Sequence, residues 1–258
     1  MAYPALGLEG RSAVVIGGTA GIGKAIAIGF ARAGANVAAS SRRESRVSET
    51  AGEIEQQGRC ALRQTADVTD RASLEGLLDA AVSAFGKVDI LVNCAGRHKR
   101  SPTLDVTEEE FSGVLETNLT GTLSACQIFG RHMIERGYGR IINMGSLGSS
   151  VGSYEVTPYT ASKAGVAGLT RSLAIEWGTR GVLVNAIAPG VFVMPPSKAG
   201  TDPASRADEL LARMPLGRFG EFEELVGPAI FLASEAASFV NGHILVVDGG
   251  FLASSTAP

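Results

Sequence analysis

Histidine and cysteine are scarce in this chain, three of each in 258 residues. Cys60, Cys94 and Cys126 stand at no close metal or redox spacing to one another, and His98 with Cys94 four residues before it makes at most a pair, too few for a metal site. No metal centre is therefore expected. The odd cysteine count, in a chain without a secretory signal, fits a reducing cytosol. The start, Met1-Ala2-Tyr3-Pro4, lacks a basic n-region and a long apolar run. Nowhere is an uninterrupted apolar run long enough to span a bilayer. A surplus of one charge is lacking too: the net charge of −3 gives no global attraction to nucleic acid or an anionic membrane. Basic helices, aromatic platforms and finger spacings are absent, as are repeats, coiled-coil heptads, low-complexity tracts and linkers. A cytoplasmic protein without nucleic-acid or membrane partners is the expectation.

What is present in quantity is glycine, 33 residues, much of it where tight turns meet helices. Short apolar runs at 13–16, 36–40, 60–65, 88–92, 141–144, 182–187 and 244–247 read as strands. Helical periodicity fills the intervals between them. About seven strands alternating with helices predict an α/β fold, one parallel doubly wound Rossmann-type domain over residues 1–258. Residues 191–216, with Pro195-Pro196 and Gly200 before a short helix at 203–213, interrupt the pattern as a cover over a substrate site would.

The first run ends in Gly17-Gly18-Thr19-Ala20-Gly21-Ile22-Gly23 and continues as a helix. Strand, glycine turn and helix together suit a pyrophosphate: the backbone can approach it closely, and the helix N-terminus offers free N–H groups. About 20 positions beyond such a turn an acidic residue binds the ribose 2′-hydroxyl of NAD. Here Ser40-Ser41-Arg42-Arg43 brings no carboxylate and two guanidinium groups, which suit a 2′-phosphate. NADP is favoured over NAD. The alternative is that both arginines open the next helix, with Glu44 as partner. Asp67 can accept from an adenine amino group or cap the helix that begins near Thr69-Asp70.

Tyr159 and Lys163 lie one turn apart on one helix face, behind Pro158 in the first turn. An ammonium beside the phenol favours the phenolate, which would let the tyrosine exchange a proton with an alcohol or carbonyl oxygen. Two further residues stand out. Asn118 is an amide in mid-helix with little intrinsic reason to be there. Ser146 follows a strand end, as do the small residues of Asn93-Cys94-Ala95-Gly96. Arg97-His98-Lys99-Arg100, directly after them, could attract an anion or simply be a solvated loop.

In this order, from about Gly10 to Phe251, these motifs resemble the short-chain dehydrogenase/reductase family. Gly17, Gly21 and Gly23 match its glycine pattern, Asp67-Val68 its adenine contact, and Asn93-Cys94-Ala95-Gly96 its Asn-Asn-Ala-Gly, with Cys94 in place of the second Asn. Asn118, Ser146, Tyr159 and Lys163 match the catalytic tetrad, and Pro189-Gly190 the turn beside the nicotinamide. The resemblance implies that Tyr159 gives or takes the proton and Ser146 hydrogen-bonds the reacting oxygen. Lys163 would lower the tyrosine pKa and hold the nicotinamide ribose, and Asn118 would support a water in a proton relay. It also implies cofactor contacts at Thr19, Ile22, Ser41, Arg42, Arg43, Val68, Ala95, Gly96 and Phe192, and a homotetramer or homodimer built partly on the helices of Asn118 and Tyr159. Departures are Ile16 before the first glycine, Ala20 in the turn and Met194 near the carboxamide position.

The 97–100 stretch followed by Ser101-Pro102 looks like the gluconate 5-dehydrogenase and 2-deoxygluconate 3-dehydrogenase branch, whose sugar-acid substrates suit a basic loop. A 3-oxoacyl-[acyl-carrier-protein] reductase is the alternative, with Arg136 and Arg180 as docking residues. A silent cofactor-binding module is a remote third, since its expected mark, a broken Ser-Tyr-Lys set, is missing.

Overall fold

The computed structural model describes residues 4–192 and 203–254. The strands are β1 (Ser12–Ile16), β2 (Asn36–Ser40), β3 (Ile90–Asn93), β4 (Gly139–Met144), β5 (Val182–Pro189) and β6 (Ile244–Val247). All pair in parallel, in the order β2-β1-β3-β4-β5-β6. Helices α1 (Gly21–Arg32), α2 (Glu44–Glu55), α3 (Arg71–Phe85), α4 (Glu108–Leu115), α5 (Gly121–Glu135), α6 (Thr157–Trp177), α7 (Pro203–Ala212) and α8 (Val226–Ala233) connect them.

Every residue of β1, β3 and β4 is buried, as a parallel sheet covered on both faces requires. Alternation along β1 divides the core. Ala13 and Val15 join Phe30 of α1, Ile54 of α2 and Ala229 of α8 on one face. Val14 and Ile16 join Leu77 of α3, Phe129 of α5 and Leu173 of α6 on the other. Phe30 and Phe129 are fully buried, each contributing about 1.5–3 kcal/mol by leaving water. Among the described residues no helix is long and apolar enough to cross a membrane.

Six strands form where about seven were expected. The run at 60–65 makes only one bridge, Val37 to Ala61. Beyond it the sequence turns polar: Arg63 reaches back to Glu55 at 2.7 Å, and the Gln64 carbonyl accepts from the Ser40 hydroxyl at 2.7 Å instead of a ladder amide. An outer strand with this composition has nothing to bury on its second face.

The helix expected over 107–133 is also interrupted. A capping box starts it: Thr107 Oγ1 accepts from the Glu110 amide, and the Glu110 carboxylate accepts from the Thr107 amide. Between α4 and α5 the backbone widens into one π turn, Glu116–Thr120, with Asn118 buried inside it. Such single π turns recur at functional sites. The chain leaves β1 toward β2 on one side and later returns to β3 on the other. That makes the carboxyl ends of β1 and β3 the switch point, where open α/β sheets bind ligands.

Candidate active site

Loops at this edge bring most of the residues singled out above together. Gly17 has φ +80°, and a Cβ there would lie 2.6 Å from the Ala95 amide nitrogen. A Cβ on Gly23 would lie 2.2 Å from the Gly17 carbonyl oxygen. Only glycine lets the turn after β1 fold this tightly against the turn after β3. Gly21 has φ +50° and opens α1, with the Phe222 ring 3.8 Å from where a Cβ would stand. Ala20 at the N-cap gives no side-chain hydrogen bond, and the first turn, which includes Ile22, carries no acidic residue. The free N–H groups and positive dipole end of α1 therefore stay available to an anion.

Beside that turn, Thr19 Oγ1 donates to Ser41 Oγ at 2.8 Å, and the Arg43 amide to the same oxygen at 3.4 Å. Arg43 is the N-cap of α2. The Arg42 side chain is 79% exposed and turns to Asp67 at 3.9 Å rather than to Glu44. Asp67 does not cap α3; Asp70 does, accepting from the Ala72 amide at 2.9 Å. Asp67 instead accepts from the Thr69 amide and hydroxyl at 3.0 and 2.7 Å. The Thr69 amide is the main reason its carboxyl is held below the usual range, with the Thr69 hydroxyl and Arg42 adding to it. Val68 is buried against the start of α5.

Asn93 faces inward: its Nδ2 donates to Asn143 Oδ1 at 2.9 Å, and Asn143 in turn to Thr170 at 3.0 Å. This buried amide chain ties β3, β4 and α6 together. Gly96 lies close to the Asn118 side chain. At the other flank Pro189 ends β5, and the Gly190 amide donates to the Val247 carbonyl at 2.9 Å. Phe192 bridges to Gly220 beside a cavity of about 200 Å³ that Met214 and Leu216 help to line. Met194, Pro195-Pro196, Gly200 and the rest of 193–202 lie outside the described residues.

At the centre, Ser146 caps a short turn after β4, and its hydroxyl is hydrogen-bonded to the Tyr159 phenol. Lys163 is buried; its Nζ donates to the Met144 carbonyl at 2.7 Å and lies 5.6 Å from the centre of the Tyr159 ring. Burial holds the phenol above its ordinary pKa; the Ser146 hydrogen bond partly offsets this, and Cys94 adds to the rise. Burial also brings the Lys163 ammonium down to about 8. Lysine was expected to pull the tyrosine down, but here it faces the ring and a carbonyl, and desolvation outweighs it. Cys94 lies near Lys163 and beneath the glycine turn, its thiol pushed up by burial to about 11.

Asn118 is not open to the site through its side chain. Its Oδ1 accepts from the Arg97 amide at 2.7 Å, and its Nδ2 donates to the Arg97 carbonyl at 2.9 Å and to Ser162 Oγ at 3.0 Å. Ser162 Oγ donates to the Tyr159 carbonyl at 2.7 Å. The amide thus fastens the loop after β3 to the first turn of α6. Ser162 escaped the sequence reading, although a serine three residues after the tyrosine can bond back to its carbonyl.

The basic loop divides. Lys99 pairs with Glu110 of α4, and Arg100 pairs with Glu155 at 2.8 Å. Glu155, at φ +59°, also accepts from the Ser101 amide at 2.9 Å through its own carbonyl. Left-handed backbone at a non-glycine residue is a local strain that these contacts hold in place. The His98 ring packs edge to face on Tyr159, centroids 4.9 Å apart and planes at 69°.

Comparison with known proteins agrees with this arrangement. The family model described as enoyl-(acyl carrier protein) reductase matches residues 17–252. The 2-dehydro-3-deoxy-D-gluconate 5-dehydrogenase of Bacillus subtilis is 44% identical over 97% of this chain and 98% of its own. The gluconate 5-dehydrogenase of Burkholderia cenocepacia, solved in complex with NADP and tartrate, superposes with a TM-score of 0.92 at 37% identity, covering 97% of this chain and 98% of that one. A short-chain type dehydrogenase/reductase from Mycobacterium marinum gives 0.90 at 33% identity, over 97% and 98% of the two chains. With a fold, an edge of the sheet and a family match that agree over nearly the whole length, this chain belongs to the short-chain dehydrogenase/reductase family.

Proposed function

We propose that this protein uses NADP to interconvert an alcohol and a ketone on a sugar acid or related polyol. The observation that carries the reading is the meeting of Ser146, Tyr159 and Lys163 beside an uncapped α1 N-terminus at one sheet edge. The glycine turn and the α1 amides would hold the pyrophosphate, Ser41, Arg42 and Arg43 a 2′-phosphate, and Asp67 and Val68 would flank the adenine. Ala95, Gly96, Pro189, Gly190 and Phe192 would border the nicotinamide. Asn93 acts from behind, through its buried amide chain. When bound, the nicotinamide supplies hydride transfer. Tyr159 would take the alcohol proton as the phenolate during oxidation and return it as the phenol during reduction. Ser146 donates to the reacting oxygen, where charge develops. Asn118 keeps Tyr159 and the 97–100 loop in register.

The sugar-acid reading is supported by the relatives from Bacillus subtilis and Burkholderia cenocepacia, the latter solved with a hydroxylated dicarboxylate. Carrier docking is less well supported. Arg136 is engaged at the far end of the sheet, 3.3 Å from Asp89 and 3.2 Å from the Val88 carbonyl, and Arg180 precedes β5 at that same end. Three free thiols fit a cytoplasmic setting. Leu104, Ile175 and Phe239 are exposed apolar side chains that a homodimer or homotetramer would cover.

One assay separates the substrate classes: gluconate, 2-deoxygluconate, their keto acids, simple polyols and a β-ketoacyl thioester, each with the nicotinamide. Turnover of sugar acids or polyols is the expected outcome; turnover of the thioester alone overturns the reading. Replacing Arg42 with Ala tests the nucleotide. A guanidinium–phosphate contact this exposed is worth the low end of ~1.5–3 kcal/mol, so kcat/KM with NADP falls roughly tenfold while NAD is nearly unaffected. An equal loss with both nucleotides would contradict the assignment.

A further inference from the structure

Building on that reading, we propose that His98 contacts the substrate hydroxyl on the carbon next to the reacting one, and so sets the preference for polyhydroxylated substrates. The side chains of this loop differ in what they touch. Lys99 and Arg100 are held by Glu110 and Glu155, whereas the His98 ring lies edge to face on Tyr159 at 4.9 Å. With Tyr159 handling the proton, the reacting oxygen must sit at its phenol. A ring packed on that phenol borders the same space.

Its place is fixed from behind. Asn118, only 1% exposed, bonds both the amide and the carbonyl of Arg97, the residue before His98. The same side chain donates to Ser162, which donates to the Tyr159 carbonyl. One buried amide therefore sets the backbone of both rings, and the rings close the circuit by touching each other. Such preorganisation suits a group that must meet a substrate at defined distance and angle.

The chemistry of the side chain suits vicinal oxygens. Imidazole presents two ring nitrogens, one donor and one acceptor when neutral. In a polyol or hydroxy acid the carbon beside the reacting one carries its own oxygen, only three bonds from the first. With Tyr159 and Ser146 holding the reacting oxygen, the second would lie within reach of the exposed His98 ring that packs on that same phenol. A site that hydrogen-bonds a hydroxyl discriminates against an analogue lacking it, because a polar group is left unpaired. A phenyl ring would pack on Tyr159 equally well but could make no such bond.

The test uses the full chain with NADP, the best sugar-acid or polyol substrate, and the analogue deoxygenated beside the reacting carbon. For His98→Phe, kcat/KM on the hydroxylated substrate falls roughly tenfold or more, chiefly through KM. The deoxy analogue shows little change, and NADP binding and thermal stability stay near wild type. His98→Asn, which restores a donor and an acceptor without the ring, recovers part of the loss. An unchanged His98→Phe enzyme, or an equal loss on both substrates, overturns the proposal while leaving the reaction class intact. Wild-type protein that turns over no sugar acid or polyol overturns the reaction class itself, before any variant is made.

Discussion

Tyr159→Phe cuts turnover by about 10²–10⁴-fold while NADP still binds, the loss expected when a positioned acid–base group is removed. The phenol meets the Ser146 hydroxyl, so both groups can hold one reacting oxygen. Phenylalanine keeps the ring between His98 and Lys163, so the packing survives and the proton path alone is lost. The residual rate reflects positioning by the remaining site. Steady-state kinetics paired with a fluorescence titration of NADPH separate the two effects. Turnover near wild type in this variant would remove Tyr159 from the mechanism.

Asn118→Leu has the second largest effect, and it acts on stability and catalysis together. Leucine matches the amide in size but leaves the Arg97 amide, the Arg97 carbonyl and Ser162 without their partner. Orphaned buried groups cost about 1–3 kcal/mol each, less where water can enter. Once the loop after β3 and the first turn of α6 are no longer fastened together, Tyr159 and His98 drift relative to Ser146. A misplacement near 1 Å costs about 10²-fold in rate. A lower melting temperature and a fall in kcat are both expected. Asn118→Asp separates them: its carboxylate still accepts from the Arg97 amide but cannot donate to Ser162 or the Arg97 carbonyl, so it falls between wild type and Leu. A Leu variant with wild-type kcat and melting temperature would show that the clamp does not matter.

Much of this architecture was legible because it is local. The glycine turn is written in consecutive residues, and the Tyr159–Lys163 spacing is one helical turn. Apolar runs marked the six strands because a doubly covered parallel sheet leaves little room for polar side chains. The same criterion misread 60–65. There Cys60, Ala61 and Leu62 begin an apolar run that Arg63, Gln64 and Thr65 do not continue, and an outer edge with one partner tolerates that. The π turn at Asn118 was hidden for another reason: one added residue barely shifts a 3.6-residue period, so the helix reads as continuous.

What the sequence could not disclose are partners far apart in the chain. Lys99 and Arg100 look like free cations until Glu110 and Glu155 are placed beside them. His98 looks like one more basic residue until its ring is found against Tyr159. The balance of effects on Tyr159 was hidden as well. Spacing places Lys163 near Tyr159 but does not reveal that both are buried, and burial raises the one and lowers the other.

The central claim, NADP-dependent oxidation and reduction of a sugar acid, is tested most directly by the reduced-nicotinamide absorbance band. Purified protein is mixed with gluconate or 2-deoxygluconate and either NADP or NAD, and in the reverse direction with a keto acid and the reduced nucleotides. The account predicts that the band grows with NADP, more slowly with NAD, and is consumed with the keto acid. A flat trace with every sugar acid and both nucleotides, from protein that still binds NADP, would contradict it and leave a cofactor-binding fold at work on something else.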